Sequence, residues 1–193
     1  IRLKINQWIY AEFEKTTTLV NKHIKDFTFD EASKVIYNFV WGSYCDWYLE
    51  FLKPIFSSKD KKAKNECFSF ASYMFMNMLK LLHPFIPFFT EYMWKDNKFD
   101  KLLKNDLISS NWPQPKKNPL FNKSLNEVES LIEIIKSIRS TKVQLNIPPK
   151  EYCDIIYFSE SKKIKIIIDN NLEIIKQVAR VSNTAPKENL IPN

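Results

Sequence analysis

Glycine and histidine are scarce in this 193-residue sequence, which contains one glycine, Gly42, and two histidines, His23 and His83. Loops that cradle phosphate need several glycines so that backbone amides can approach the anion, and this excludes P-loops and dinucleotide-binding loops. The two histidines lie far apart in the sequence, and neither has a thiol or carboxylate at metal-ligand spacing. The sequence therefore predicts no catalytic residue and no metal site, and a structural role for His83 before a proline-rich break.

Cysteine is also rare, with Cys45, Cys67 and Cys153 forming no Cys-x-x-Cys pair. An odd number of widely spaced cysteines argues against a disulfide framework and favours a reducing compartment. No apolar run approaches the roughly 18 to 20 residues that span a bilayer, and no signal-peptide pattern is present. We therefore expect a cytoplasmic protein without a membrane partner. The chain begins at Ile1 inside an amphipathic pattern, which suggests a fragment of a larger protein.

The composition is that of a folded domain with a basic surface. Hydrophobic residues make up 45% of the chain and aromatic residues 15%, and the formal net charge is +7. Clustered Lys and Arg gain from counterion release on nucleic acid, so a polyanion is a plausible partner. Lysine, asparagine and isoleucine are abundant throughout, however, and a biased genome explains the charge equally well.

Apolar periodicity predicts a mainly α fold, an antiparallel helical bundle followed by a small α/β unit. A proline should end the second helix near Pro54, the third should be central, and residues 95–120 should form an extended loop. A β-rich stretch and one further helix follow, but the residues after Thr184 are too few to complete a sheet, which indicates a truncated unit. We place the domain boundary between residues 1–147 and 148–193. The predicted helices cover residues 2–26, 30–52, 65–82, 88–94, 125–143 and 161–179, and the predicted strand covers residues 152–158.

The most unusual stretch is residues 41–54, with the sequence WGSYCDWYLEFLKP. Its apolar stripe explains Trp41, Tyr44 or Cys45, and Tyr48 as core residues, but it leaves Asp46, Trp47 and Glu50 unexplained. Aromatic faces beside hydrogen-bonding groups are what unstacked bases need. A glycine inside a helix costs stability, so Gly42 predicts the close approach of another backbone or a ligand.

Residues 41–54 resemble the Trp-x-x-Phe-Cys-Asp-Trp-Tyr-Leu-Glu-x-x-Lys-Pro signature of the anticodon-binding domain of valyl-tRNA synthetases, which are class I aminoacyl-tRNA synthetases. Residues 82–94, LHPFIPFFTEYMW, are similar to that family's Leu-His-Pro-x-x-Pro-Phe-x-Thr-Glu-x-x-Trp, and residues 112–113 match its Trp-Pro turn. Residues 138–149, IRSTKVQLNIPP, are similar to Ile-Arg-x-x-Arg-x-Glu-x-Asn-x-Pro-Pro. The order and spacing agree over roughly 150 residues, although Lys142 and Gln144 replace the family's usual arginine and glutamate.

The resemblance implies an enzyme that activates valine with ATP and Mg²⁺ and esterifies it to tRNA, in a catalytic domain whose motifs this chain lacks. It implies that this chain carries no catalysis of its own and no cofactor. The implied partners are the anticodon stem-loop of a valine tRNA and the catalytic domain of the same polypeptide, in a monomer. Two alternatives stay open: the same domain of an isoleucyl-tRNA synthetase, and a helical protein-interaction scaffold.

Site residues follow from the matched motifs. Tyr44, at the family's phenylalanine position, is expected to stack on an anticodon base, with Asp46 and Trp47 at the rim of its pocket. Arg139 can contact phosphate or a base, or form a buried salt bridge with Asp46 or Glu50. The predicted tRNA-binding residues are Tyr44, Asp46, Trp47, Glu50, Lys53, Arg139 and Lys142.

Overall fold

The computed structural model describes residues 3–186 of the chain, and these are mostly helical with one small parallel sheet. Within this range, no helix combines the length and the apolar content that a bilayer crossing requires. Short 3₁₀ turns cover Leu107–Ser109 and Pro119–Phe121. The helices and strands are α1 Lys4–Lys25, α2 Phe29–Tyr37, a π-helical segment Asn38–Tyr48, α3 Leu49–Ser57, α4 Lys61–Leu82, α5 Pro87–Asp96, α6 Phe99–Leu103, α7 Asn122–Gln144, β1 Cys153–Tyr157, α8 Lys162–Asn170, α9 Leu172–Ala179 and β2 Val181–Pro186.

The predicted bundle with an appended α/β unit is confirmed, but the central helix is α1. Its apolar residues at helical spacing, among them Ile9, Phe13 and Val20, are fully enclosed by neighbouring helices. Helix α4, which we predicted to be central, divides its apolar residues between two clusters and leaves Phe68 exposed. Helix α4 begins earlier than predicted because the Asp60 carboxylate accepts a hydrogen bond from the Ala63 amide (3.0 Å) and caps it.

The second predicted helix does not end near Pro54 but runs without a break from α2 through the π-helical segment to the end of α3. Proline lacks an amide proton and so removes one backbone hydrogen bond. Its carbonyl still accepts from the Ser58 amide at 3.0 Å, and Phe51 and Leu52 just before it are buried. These contacts hold one further helical turn beyond the proline.

The predicted close approach of another backbone to Gly42 is not found within residues 3–186, whereas the approach of a ligand stays a prediction. A Cβ built on this residue would meet nothing within 4 Å, so neither a backbone nor a side chain approaches it among the described residues.

The predicted loop at residues 95–120 is partly folded. Helix α6 and a 3₁₀ turn place Phe99 and Leu107 against Trp94 and Leu79 in a separate apolar cluster. The Trp94 indole donates to the Asn105 carbonyl at 3.1 Å. Short helices with only two or three apolar contacts give too little periodicity for a sequence pattern to show them.

The proline-rich break between α4 and α5 and the Trp-Pro turn are both held by hydrogen bonds to other elements. The Nδ1 atom of His83 lies 2.8 Å from the Thr90 hydroxyl oxygen, which agrees with the structural role predicted for this histidine. The Trp112 indole donates to the Asn21 side chain at 2.8 Å and fixes the loop on α1.

The α/β unit forms a sheet after all, because β1 pairs in parallel with β2. Between them, the predicted single helix is broken at Asn171, whose backbone leaves the helical conformation and whose side chain donates to the Ile167 carbonyl (2.8 Å). Ile175 and Val178 of α9 join the same apolar cluster as Phe51 and Trp8 of the bundle. The unit thus packs on the bundle through a shared core.

Candidate nucleic-acid interface

The aromatic helix, residues 38–57, is fixed in place by a buried polar chain. The Tyr48 hydroxyl donates to the Asn6 side-chain oxygen at 2.8 Å, and the Asn6 amide donates in turn to Glu66 at 3.0 Å. Burial raises the pKa of Tyr48, so its hydroxyl keeps the proton that this hydrogen bond needs. The rotation of the helix about its axis is set by this chain together with the buried Phe39 and Phe51.

The structure does not support the stacking role predicted for Tyr44. Only 6% of this residue is exposed, its ring packs on Tyr48 with centroids 5.3 Å apart, and its hydroxyl donates to the Ala71 carbonyl at 3.2 Å. Burial raises its pKa to about 12. A base can stack only on an exposed ring face, so Tyr44 is a core residue in this conformation.

Trp47 and Arg139 are brought together, as the predicted site requires. The Arg139 guanidinium lies over the Trp47 ring, 5.3 Å from its centroid, and donates to the Val178 carbonyl at 2.9 Å. The Trp47 ring also contacts Phe51, with ring centroids 5.8 Å apart. Among the described residues Arg139 forms no ion pair with Asp46 or Glu50, so the alternative of a buried salt bridge is not what the structure shows.

Glu50 and Lys53 form an ion pair one turn apart on the solvent side of α3. Exposed pairs of this kind contribute little to stability, so both side chains can exchange this contact for another. Asp46 is exposed, and in the described part of the chain its carboxylate has no ion-pair or hydrogen-bond partner. All three residues follow or precede Trp47 on the same helix, with Asp46 and Lys53 exposed and Glu50 partly exposed.

Lys142 is buried, with 5% of its surface exposed, and its ammonium donates to the main-chain carbonyls of Glu151 (2.5 Å) and Arg180 (3.4 Å). The predicted charge contact with RNA therefore becomes a structural one, because an ammonium has three donors and two are used inside the protein. The chain reverses direction directly after α7, and this turn brings the main-chain carbonyl of Glu151 to the Lys142 ammonium. Asn146 adopts the left-handed conformation there (φ 55°), and the Ile147 amide closes back on the Lys142 carbonyl at 2.9 Å.

The C-terminal turn of α7, the loop after it and the end of α9 together form a cleft of about 470 Å³, which we call the basic cleft. Arg139, Lys142, Lys150 and Arg180 line it, and none of its described lining residues is acidic. Lys150 and Arg180 were not predicted, because they lie about thirty residues apart in sequence and meet only when β2 pairs with β1. The only sequence signal for these two residues was the positive charge of Lys150, which ends the Asn-Ile-Pro-Pro-Lys stretch of residues 146–150. No group of three or more His, Cys, Asp or Glu side chains that could hold a metal ion occurs within residues 3–186.

Comparison with known proteins identifies the domain type. Residues 6–157 match the family described as the anticodon-binding domain of tRNA ligase. The chain is 43% identical over 190 residues to a valine–tRNA ligase of Pelagibacter ubique, and 34% identical over 191 residues to one of Agrobacterium fabrum. These alignments cover 97% and 96% of this chain but only 21% and 20% of the two relatives.

A valine–tRNA ligase of Staphylococcus epidermidis gives the same result, with 31% identity over 92% of this chain and 20% of the relative. The chain thus spans about a fifth of the length of these relatives. The match covers the aromatic helix, Arg139 and one wall of the basic cleft. On this evidence, the chain belongs to the family of anticodon-binding domains of tRNA ligases.

Proposed function

We propose that this chain is the part of a valine–tRNA ligase that holds the anticodon stem-loop of a valine tRNA. The basic cleft is the observation that carries the proposal, because it places the exposed cationic side chains of Arg139, Lys150 and Arg180 in one concave surface beside an aromatic ring. Lys and Arg in such a surface bind phosphate and release counterions. The names of the relatives, all valine–tRNA ligases, support valine over isoleucine.

Within this cleft the side chains have different tasks. Arg139 is exposed and oriented by Trp47 and the Val178 carbonyl, so its free guanidinium nitrogens can donate to a phosphate. Lys150, in the loop after α7, and Arg180, after α9, are exposed and line the same cleft. Lys142 lies inside the protein and fixes the backbone beside these two residues through its hydrogen bonds to the Glu151 and Arg180 carbonyls. RNA loops are read through splayed bases after phosphate contacts have set the register, which suits a basic cleft next to an aromatic helix.

The rest of the enzyme is also part of this proposal. A catalytic domain outside this chain would bind ATP and Mg²⁺ and activate valine, while this chain alone catalyses nothing. Helix α5 supports a partner within the polypeptide, because Phe88, Phe89 and Tyr92 are exposed on it. We further propose a monomeric, cytoplasmic protein, consistent with its three unpaired thiols.

Anisotropy of a labelled valine anticodon stem-loop, titrated with this chain at several salt concentrations, tests the proposal. We expect binding that weakens steeply with salt. Lys150→Gln and Arg180→Gln should each lower affinity and reduce the log-log salt slope by about one, because each removes one phosphate contact. Lys101→Gln is the matched control, since it removes the same charge from an exposed residue of α6 outside the cleft.

Three outcomes decide between the alternatives. Absence of binding at low salt, or a slope near zero, contradicts the RNA proposal and favours the interaction scaffold. Equal or tighter binding of an isoleucine stem-loop contradicts the valine assignment. If Lys101→Gln weakens binding as much as the cleft variants do, the RNA is attracted by net charge and the cleft is not its site.

A further inference from the structure

A second pocket lies at the start of α7, whereas the basic cleft lies at its end. It forms where α1, α4 and the loop before α7 meet, and its volume of about 510 Å³ is within the range of small-molecule sites in proteins. None of the described residues that line it is acidic. We call it the aromatic pocket, and its lining residues are Tyr10, Phe70, Tyr73, Lys116, Lys117, Asn118 and Phe121.

Four aromatic rings from three separate parts of the chain surround this pocket. The Tyr10 ring meets Phe121 edge-on, with centroids 5.9 Å apart, and its centroid lies 6.5 Å from that of Phe70. Phe70 packs against the core and contacts Tyr73, with centroids 5.9 Å apart. Tyr10, Tyr73 and Phe121 belong to neither of the two apolar clusters in the described part of the chain, and Tyr73 is exposed. The pocket therefore offers aromatic surface that the core does not use.

The loop that carries the two lysines of the pocket is fixed by side-chain hydrogen bonds. The Tyr10 hydroxyl accepts a hydrogen bond from the Lys116 amide (3.1 Å) and donates one to the Lys116 carbonyl (3.3 Å). The Asn118 side-chain oxygen accepts from the Leu120 amide (3.1 Å) and caps the 3₁₀ turn that follows. A site whose backbone is already fixed loses less conformational entropy when a ligand binds. The pocket is therefore formed before a ligand arrives.

Lys116 and Lys117 place two positive charges at the aromatic pocket. Both side chains are exposed, and neither ammonium has an ion-pair partner among the described residues. An ammonium binds phosphate as a point charge with three donors. A ligand complementary to this pocket joins a flat ring to a negative charge. A nucleotide has both, since every base has a π face that stacks on aromatic side chains and its phosphate is anionic.

We propose that the aromatic pocket binds one nucleotide, with its base among the aromatic rings and its phosphate on the ammonium groups of Lys116 and Lys117. This site is separate from the basic cleft. Arg139 lies about 18 residues beyond Phe121, nearly all of them in α7, and at the helical rise per residue this places the two about 27 Å apart. The nucleotide in the pocket is thus not the one whose phosphate contacts Arg139, and the inference does not rest on the proposed function.

Titration of this chain with adenosine monophosphate, adenosine and inorganic phosphate, followed by NMR amide shifts, tests the proposal. We expect the monophosphate to bind about tenfold more tightly than adenosine, because only the monophosphate reaches both lysines, and to shift the amide signals of Lys116 and Phe121. Tyr73→Ala should lower its affinity about tenfold, a usual loss for one stacking ring. The double variant Lys116→Gln and Lys117→Gln should bind the monophosphate no more tightly than wild type binds adenosine.

Phe68→Ala and Lys101→Gln are the matched controls. Phe68 is an exposed ring on α4 that does not line the pocket, and Lys101 is an exposed lysine of α6. Both variants should bind adenosine monophosphate as wild type does. If adenosine binds as tightly as the monophosphate, or if the pocket variants bind as wild type does, the inference is overturned. Displacement of the monophosphate by an equal concentration of an acidic peptide that contains phenylalanine also overturns it, because the pocket is then a peptide site.

An unstructured hexamer of adenylate identifies the source of the nucleotide. If the pocket serves RNA, the hexamer should bind about tenfold more tightly than the monophosphate, since further phosphates lie near the lysines, and Tyr73→Ala should weaken both ligands. If the pocket serves a free nucleotide, the monophosphate should bind at least as tightly as the hexamer. Either result supports the site. Arg180→Gln, in the basic cleft, should leave the affinity for the monophosphate unchanged, so this inference and the proposed function can fail independently.

Discussion

Tyr44 shows that a residue in the signature of a family can lie in the core. The sequence motif marks the position, but the burial of the ring and its hydroxyl bond to Ala71 assign it to the core. Trp41 departs from its prediction in the other direction, because the apolar stripe predicted it as a core residue but its ring is exposed and stacks on the exposed Tyr37. At the scale of single residues, the exposure of a side chain decides whether it can contact a ligand. That exposure depends on how the helix is rotated about its axis.

We predict that Tyr44→Phe lowers the free energy of unfolding by about 1 kcal/mol, the usual loss for one hydrogen bond. Tyr44→Ala should lower it by roughly 3 to 5 kcal/mol, because it leaves a cavity in the core. The stem-loop affinity of the folded protein should not change in either case. Urea unfolding by circular dichroism, paired with anisotropy, measures both quantities. Weaker RNA binding by Tyr44→Phe at unchanged stability would show that the hydroxyl reaches the RNA.

At the scale of elements, the amphipathic pattern predicted α1 and α7 well, because each is long and buries one face. The caps at Asp60 and Asn146 use residues with known preferences. The π-helical segment could not be predicted. Its aromatic residues fit an α-helical stripe equally well, and the choice depends on the packing of Phe39, Tyr44 and Tyr48 against other helices.

Gly42, inside this segment, offers a direct test of local strain. Nothing described lies within 4 Å of a Cβ built there, so Gly42→Ala should raise the free energy of unfolding by about 0.5 to 1 kcal/mol through reduced freedom of the unfolded chain. A shift of the urea midpoint at constant m value measures it. A destabilised Gly42→Ala would mean that the segment needs glycine for its own backbone geometry.

At the scale of the whole molecule, the bundle and the α/β unit share one apolar cluster, to which Ile175 of α9 and Phe51 of α3 both belong. The predicted boundary at residues 147 and 148 thus falls inside a packed region. Sequence composition marked the change from helices to strand, but it could not show the packing, which joins α9 to a helix more than a hundred residues earlier. The boundary itself stays a prediction.

The shared core also predicts how stability depends on pH. Burial raises the pKa of Tyr44 to about 12 from 10.0 and that of Cys67 to about 11 from 9.0. These groups keep their protons in the folded chain and release them in the unfolded chain, so stability is fully present below about pH 9 and falls as pH rises further. Urea midpoints at about pH 8 and about pH 10.5 measure the fall.

Cys67→Ala should reduce this fall, whereas substitution of the less buried Cys153 should not. An equal fall in wild type and Cys67→Ala would mean that the thiol does not contribute to it.

The two hydrogen bonds of the Lys142 ammonium have a consequence for cooperation between the parts of the molecule. They join the last turn of α7 to the loop after it and to Arg180, which lies between α9 and β2, so the two sides of the basic cleft exist only while both parts are docked. An RNA that spans the walls then acts as a clamp, stabilising the docked state in proportion to the logarithm of its concentration. An RNA bound across the cleft, as proposed above, would stabilise the contact between the bundle and the α/β unit. Its affinity would then depend on how stably the α/β unit is docked.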